Sequence, residues 1–353
     1  MTQASMISPA LSAVLGFSNG RLVGSGPPAP HAHSLAAHAG SAPVLQSLGK
    51  FAGDAALTQI NSALWQDGLW LNLTAGQQAA PLFVAHLASE ADAMLHVRNL
   101  IVLEAGAEAM LVEHYRGMPN LSYWHNGVTE IVLGEGARLT HVTLTEESEA
   151  ATHTGFTAVQ QARDSRYHAL SVSLAGRLVR HDTWVNLNES GAECQLDGLF
   201  IGDARRHIDQ HLHVEHAAPH TTSRQTWRGI AAGRGRGIFD ARVVVQPGAQ
   251  KADALQSSRN LLLSPYAEID VKPQLEIYAD DVKCGHGATV GQLDDAQVFY
   301  LRSRGISADD ARALLLRGFA AEALGLLGRS DLSDWLEPHL TVALPVQGKE
   351  RTA

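Results

Sequence analysis

Short β-rich runs punctuate the chain from Trp65 onward: Leu69-Trp70-Leu71-Asn72-Leu73, Leu100-Ile101-Val102-Leu103, Glu130-Ile131-Val132-Leu133 and Val243-Val244-Val245. Glycine, proline or polar residues bound each of them, the pattern of strands separated by turns. Almost nothing between them shows the three-and-four spacing of a long helix. Several runs end on one corner: Glu104-Ala105-Gly106-Ala107, Gly134-Glu135-Gly136-Ala137, Glu189-Ser190-Gly191-Ala192 and Gln246-Pro247-Gly248-Ala249. Ser264-Pro265-Tyr266-Ala267-Glu268-Ile269 and Gly285-His286-Gly287-Ala288-Thr289-Val290 repeat it loosely, which sets Ala249, Ala267 and Ala288 18 and 21 residues apart (267 − 249 and 288 − 267). Such spacing suits the coils of a solenoid, where no coil buries its inner face alone and stacking builds the core. The expected fold class is therefore all-β; a β-sandwich with glycine-rich turns is the alternative that strand texture leaves open.

The two ends read differently. Residues 1–50 are rich in Ala, Ser, Gly, Pro and His, and Gly24-Ser25-Gly26-Pro27-Pro28-Ala29-Pro30 cannot sustain a helix or strand, so a flexible arm is expected there. Leu57, Ile60 and Leu64 recur at helical spacing and predict a short helical lead-in over 51–64. The β-rich body spans 65–295. Beyond it Ser307-Ala308-Asp309-Asp310 is an N-cap followed by acidic first-turn residues, and Ala311, Leu314, Leu315, Gly318 and Phe319 follow at helical spacing until Gly325 and Gly328. Asp331 to Leu336 starts another short helix, stopped by Pro338. A C-terminal helical domain over 296–353, packed on the end of the β-rich body, is the expectation.

Charge and composition narrow the function. Lys and Arg total 27 against 36 Asp and Glu, a formal charge of −9, and no basic cluster offsets it. Nucleic acid and anionic membrane are thus unfavourable partners. No basic region precedes the first apolar stretch and no apolar run approaches the roughly 20 residues that span a bilayer, so a cytoplasmic protein is expected. Cys194 and Cys284 lie far apart and form no CxxC pair. Metal chemistry must then recruit histidines, carboxylates or another chain.

Candidate chemistry is sparse. No Gly-x-x-x-x-Gly-Lys-Ser/Thr phosphate loop occurs, and Gly233-Arg234-Gly235-Arg236-Gly237 reads as a turn between strands. No nucleophile elbow, HExxH or dinucleotide fingerprint is present, and the pairs Asp280-Asp281 and Asp294-Asp295 would point to opposite faces of a strand. The densest set of donors is His207, Asp209, His211, His213 and His216. On a strand His211 and His213 share one face, which fits a two-imidazole metal site or a proton shuttle, but solvent-facing or ladder-bonded histidines are the favoured reading. The sharper pair is Cys284 and His286, two positions apart among glycines. On an extended backbone thiol and imidazole leave the same face, and together they suit iron. Two ligands do not close a coordination shell, so the remaining donors would come from a facing subunit; a buried cysteine beside a turn histidine is the competing reading.

Longer motifs carry a resemblance. Arg259-Asn260-Leu261-Leu262-Leu263-Ser264, Ala267-Glu268-Ile269-Asp270, Lys272-Pro273-Gln274-Leu275-Glu276-Ile277, Asp280-Asp281-Val282-Lys283-Cys284, His286-Gly287-Ala288-Thr289-Val290-Gly291 and Tyr300-Leu301-Arg302-Ser303-Arg304-Gly305-Ile306 resemble the signature of the SufB and SufD family. His213-Val214-Glu215-His216, Ser223-Arg224-Gln225 and Arg228-Gly229 match it upstream, so the likeness covers roughly Trp65 to Leu324. The resemblance implies a right-handed parallel β-helix with a C-terminal helical domain, pairing with SufB through the β-helices, and a SufC ATPase docked on the C-terminal helices. It implies a non-catalytic scaffold that assembles iron-sulfur clusters and passes them to apoproteins. No cofactor is expected to stay on the isolated chain, only a transient cluster or iron in the complex. The short chain and the lack of extra cysteines point to the SufD side. Cys284 and His286 match family positions implicated at the SufB interface; Tyr300, Arg304, Leu314, Leu315 and Phe319 fall where SufC would dock. A homodimer of the isolated chain is a further expectation. Two other readings remain beside this one: a β-helix polysaccharide lyase or hydrolase, and a metalloenzyme centred on His211 and His213.

Overall fold

The computed structural model describes residues 13–26, 29–53 and 55–345. The chain opens with strands β1 (Ala13–Ser18), β2 (Arg21–Ser25) and β3 (Ala32–Ser34) and helices α1 (Leu35–His38), α2 (Ala42–Ser47) and α3 (Ala56–Leu64). Sixteen strands follow. They are β4 (Leu69–Leu73), β5 (Leu82–Ala88), β6 (Met94–Leu103), β7 (Glu108–Gly117), β8 (Trp124–Leu133), β9 (Arg138–Glu146), β10 (Thr152–Gln161), β11 (Arg166–Ala175), β12 (Leu178–Leu187), β13 (Glu193–Gly202), β14 (His207–His216), β15 (Thr222–Ala231), β16 (Arg236–Val245), β17 (Asp253–Leu262), β18 (Glu268–Ile277) and β19 (Lys283–Gly291). Helices α4 (Asp295–Ser303), α5 (Ala308–Gly325) and α6 (Ser330–Ala343) end the described chain.

Odd-numbered strands from β5 to β19 stack in one sheet and even-numbered strands from β4 to β18 in another, all in parallel, so two strands make a coil and eight coils make a solenoid. The sandwich alternative is thereby excluded. One coil takes 26 to 32 residues, as the partners Thr152 with Leu178 and Arg236 with Glu268 show. That period corrects the 18- and 21-residue spacing read from the alanines. Ala249 and Ala267 follow β16 and β17 and occupy opposite edges of the solenoid, while Ala288 lies inside β19. Gly285-His286-Gly287-Ala288 is strand, not corner; the turn before it runs through the buried Ala279.

The Gly-Ala corners themselves are built as the sequence suggests. Gly106 and Gly136 adopt φ of 68° and 64°, a left-handed turn that a Cβ would strain, and each donates its N–H to the corner of the next coil. The alanines that follow, Ala107 and Ala137, turn inward and are fully buried. Inward residues Ile101, Ile131, Val159, Val185, Val214 and Val243 stack through the lumen as a continuous apolar column.

Two expectations about the ends are corrected. From Ala13 the N-terminal segment is built into the body: β1 joins the parallel sheet beside β5, Leu15 and Phe17 are buried, and the β1–β2 and β3–β4 pairs are antiparallel. Asp67 accepts from Leu22 N, Ser34 Oγ and Ala36 N, and buried Glu130 accepts from Gly49 N and Phe51 N, so polar anchors hold a segment whose composition lacks apolar pattern. Residues 1–12, Pro27 and Pro28 of the expected arm, Asp54 of the lead-in and residues 346–353 of the expected helical domain lie outside the described residues. The C-terminal helices do not cap the end of the solenoid; α5 and α6 lie across the outer face of the odd-numbered sheet, where Leu316, Ala320, Leu324, Leu332, Trp335, Leu336 and Leu340 cover Phe83, Val112, Leu144, Val172, Leu199 and Ile230. That face carries apolar residues on both sides of the strands and needs a cover.

Candidate functional site

The last coil, β18 and β19, has no neighbour on its far side among the described residues. Its inward row continues the lumen: Ile269, Val271 and Leu275 follow Gly237, Phe239 and Val243, and Cys284 and His286 follow Ala254 and Gln256. Ala254 and Gln256 are buried, whereas Cys284 is half-buried against the core and His286 is exposed. Thiol and imidazole therefore share one face of β19 and line the open mouth of the lumen. Burial pushes the Cys284 thiol up, Ala254 backbone hydrogen bonding opposes it and Asp253 adds to it, so the thiol holds its proton at neutral pH.

Cys194 stands in the same column. The register runs Cys194, Ser223, Ala254, Cys284, three strand steps or about 14 Å at the usual spacing between strands. Both cysteines are free, and Cys194 is buried with its thiol pushed up by that burial.

The histidine-rich strand is β14. His207, Asp209, His211 and His213 face outward, but the structure divides them. His211 Nε2 lies 2.6 Å from Asp209 Oδ1, whose other oxygen receives Arg180 Nη1 at 2.9 Å, and the hydrogen bond to Asp209 raises the His211 pKa. His213 instead packs against Trp184 with the rings tilted by 41° and their centroids 5.2 Å apart. His216 turns inward, where Thr221 Oγ1 and Ser223 Oγ each lie 2.8 Å from a ring nitrogen. Two of the five thus enter a charge ladder, one a tilted aromatic contact and one the core, His207 is half-buried at the start of the strand, and His211 and His213 do not converge on a shared point.

Of the residues expected to dock a partner, Leu314, Leu315 and Phe319 line one cleft of about 470 Å³ between α5 and the ends of β17 and β19. Phe319 is partly buried and lies beneath the guanidinium groups of Arg228 and Arg259, 5.9 and 5.8 Å from its centroid. Both arginines also bond Glu322, so these motif residues hold α5 to the solenoid. Tyr300 on α4 and Arg304 at its C-cap stand apart, the Arg304 guanidinium 5.3 Å above the Tyr300 ring.

Sequence spacing gave no sign of the polar half of the lumen. Glu113 meets His86 Nε2 at 3.2 Å and His141 Nε2 at 2.8 Å; Glu147 meets His153 Nδ1 at 2.9 Å and His125 Nδ1 at 3.3 Å, and accepts from Tyr123. Burial alone would raise both carboxyls, yet hydrogen bonds from His141 and His86, and from His125 and His153, hold them well below the usual carboxylate range. His153 lies six residues from Glu147, but His86 and His141 lie 27 and 28 residues from Glu113 in neighbouring coils, so only the coil period could have paired them. Outside the lumen, His114, Glu146 and His339 form a second group joining sheet and helix.

Comparison with known proteins settles the lineage. Residues 86–319, from β5 into α5, match the SUF system FeS cluster assembly, SufBD core domain. The chain belongs to the SufBD family. This SufBD protein is 33% identical over 291 residues to the iron-sulfur cluster assembly protein SufD of Escherichia coli, covering 81% of this chain and 69% of that one. It is 37% identical over 239 residues to a SufBD family protein of Synechocystis, covering 65% and 53%, and 28% identical over 275 residues to SufD of Bacillus subtilis, covering 77% and 63%. It therefore spans roughly half to two thirds of the length of these relatives. Membership in this iron-sulfur assembly family replaces the polysaccharide-lyase reading. No helix among the described residues is long and apolar enough to cross a membrane.

Proposed function

We propose that this SufBD protein is a non-catalytic scaffold that pairs through the open end of its solenoid with a sister β-helix subunit, SufB. It carries the SufC ATPase on its C-terminal helices and supplies Cys284 and His286 to a nascent iron-sulfur cluster. One observation carries the reading: the inward row of the last coil is unfinished, and a thiol and an imidazole stand on it side by side. Soft thiolate and imidazole donors match iron, and two of them leave positions for donors of a facing subunit. The cleft along Leu314, Leu315 and Phe319, with Arg259, Asp294 and Glu322 also in its lining, offers a groove of mixed polarity for the ATPase.

Co-expression with SufB and SufC followed by gentle purification tests it. A ternary complex is expected, and His286→Ala or Cys284→Ser should keep that complex while lowering its iron and sulfide content severalfold. A chain that elutes alone sinks the pairing; a complex with full cluster content in both variants removes the two residues from the chemistry.

A further inference from the structure

We propose that His114, Glu146 and His339 form a site for a divalent first-row cation such as Fe(II), Zn(II) or Co(II), and that the ion clasps α6 to the solenoid. The site is independent of the open end of the lumen. His114 projects from β7 and Glu146 from β9, adjacent strands of the odd-numbered sheet, and His339 descends from α6. His114 Nε2 and His339 Nδ1 each lie 2.8 Å from the same carboxylate oxygen, Glu146 Oε2, and all three donor atoms lie within 4.8 Å of one another.

Two imidazoles and one carboxylate are the donor set of borderline divalent metals, not of Mg(II) or Ca(II), which prefer oxygen alone. A tetrahedral ion with bonds of about 2.0 to 2.1 Å sets its donors about 3.4 Å apart, so each imidazole–carboxylate contact opens by about 0.6 Å and the two ring nitrogens, already within 4.8 Å of each other, settle to the same spacing. Each neutral ring keeps its proton on the nitrogen facing away and gives its lone pair to the ion. His114 is buried, while Glu146 and His339 are about one-fifth exposed, which leaves a solvent path and an open coordination position for water. Phe83 and Trp335 wall the site: the Trp335 ring lies 5.9 Å from His114 and 5.3 Å from His339. Those rings exclude water from the other side. The second buried triad, Glu147 with His125 and His153, lacks any comparable opening.

The full chain, stripped with chelator, is titrated with Co(II) and then Zn(II). Expected are one equivalent bound by calorimetry, a Co(II) d–d spectrum, quenching of tryptophan emission and slower hydrogen exchange in α6. His339→Gln and Glu146→Gln should weaken binding at least about tenfold, with folding checked by circular dichroism. The Cys284→Ser/His286→Ala double variant should bind as the parent does. Failure to bind one equivalent, unchanged affinity in His339→Gln, or loss of binding in the Cys284/His286 variant each overturns the assignment.

Discussion

His216 and His181 sit in the lumen as neutral imidazoles, and that has a sign in pH. Burial lowers His216 to about 4, and burial with the nearby His153 and His141 lowers His181 to about 3, from the ordinary value near 6.5. The unfolded chain takes up these protons first as pH falls. Stability from each is therefore complete above about 6.5 and is lost as pH drops toward 4 and 3, at about 1.4 kcal/mol per pH unit for each group. His216→Gln, which can still meet Thr221 and Ser223, should flatten the slope of urea-measured stability between pH 6.5 and 4 by about that amount. Equal slopes in parent and variant would show that His216 charges in the fold. Close packing sets a second residue-scale test: a Cβ on Gly198 would stand 2.5 Å from the Trp227 ring, so Gly198→Ala should lower stability by about 1–3 kcal/mol in thermal melts. A two-residue spacing was enough to place Cys284 and His286 on one face. It says nothing of His86 and Glu113, 27 residues apart, whose meeting depends on where each coil closes.

At the scale of elements, α3 inverts the rule used to find it. Its apolar stripe drew attention, yet Ile60 and Leu64 are exposed and the buried side is Thr58 and Asn61. Asn61 Nδ2 bridges Val97 O and Asn126 O, both at 2.8 Å, its Oδ1 accepts from Arg98, and Arg98 pairs with buried Glu130. Those two carbonyls lie on adjacent coils, so the helix is held by hydrogen bonds to the solenoid backbone. Periodicity locates a helix but does not tell which side is covered when the covering surface is polar. Ile60→Glu should therefore shift unfolding by no more than about 0.5 kcal/mol, and Asn61→Ala should cost about 1–3 kcal/mol. Chemical denaturation of the two variants decides between this and an apolar contact, which reverses the order. The solenoid was legible because its corners repeat in sequence, but the coil period was not: Asp164 and Ala204 take the same left-handed turn as Gly106 without glycine to mark it.

The two ends of the whole molecule are unlike. At the N-terminal end the short antiparallel strands β2 and β3 close the sheets, whereas among the described residues nothing pairs with the ten- and nine-residue edges of β18 and β19 at the other end of the lumen. Unpaired edges recruit other strands, and most proteins blunt them. β18 is blunted in part by Pro273, which has no N–H to donate; β19 carries no proline and three of its nine residues are glycine, so it is the edge left open to pairing. Without a partner subunit the same edge is free for a second copy of this chain. Sedimentation equilibrium should show a concentration-dependent dimer. Ala288→Lys with Val290→Lys places two charges on the exposed mouth of the lumen, where the folded monomer tolerates them, and should return the chain to monomer with its melting temperature nearly unchanged. A dimer that survives both lysines would have to form elsewhere on the surface, and the open coil would then lose its standing as the proposed pairing surface.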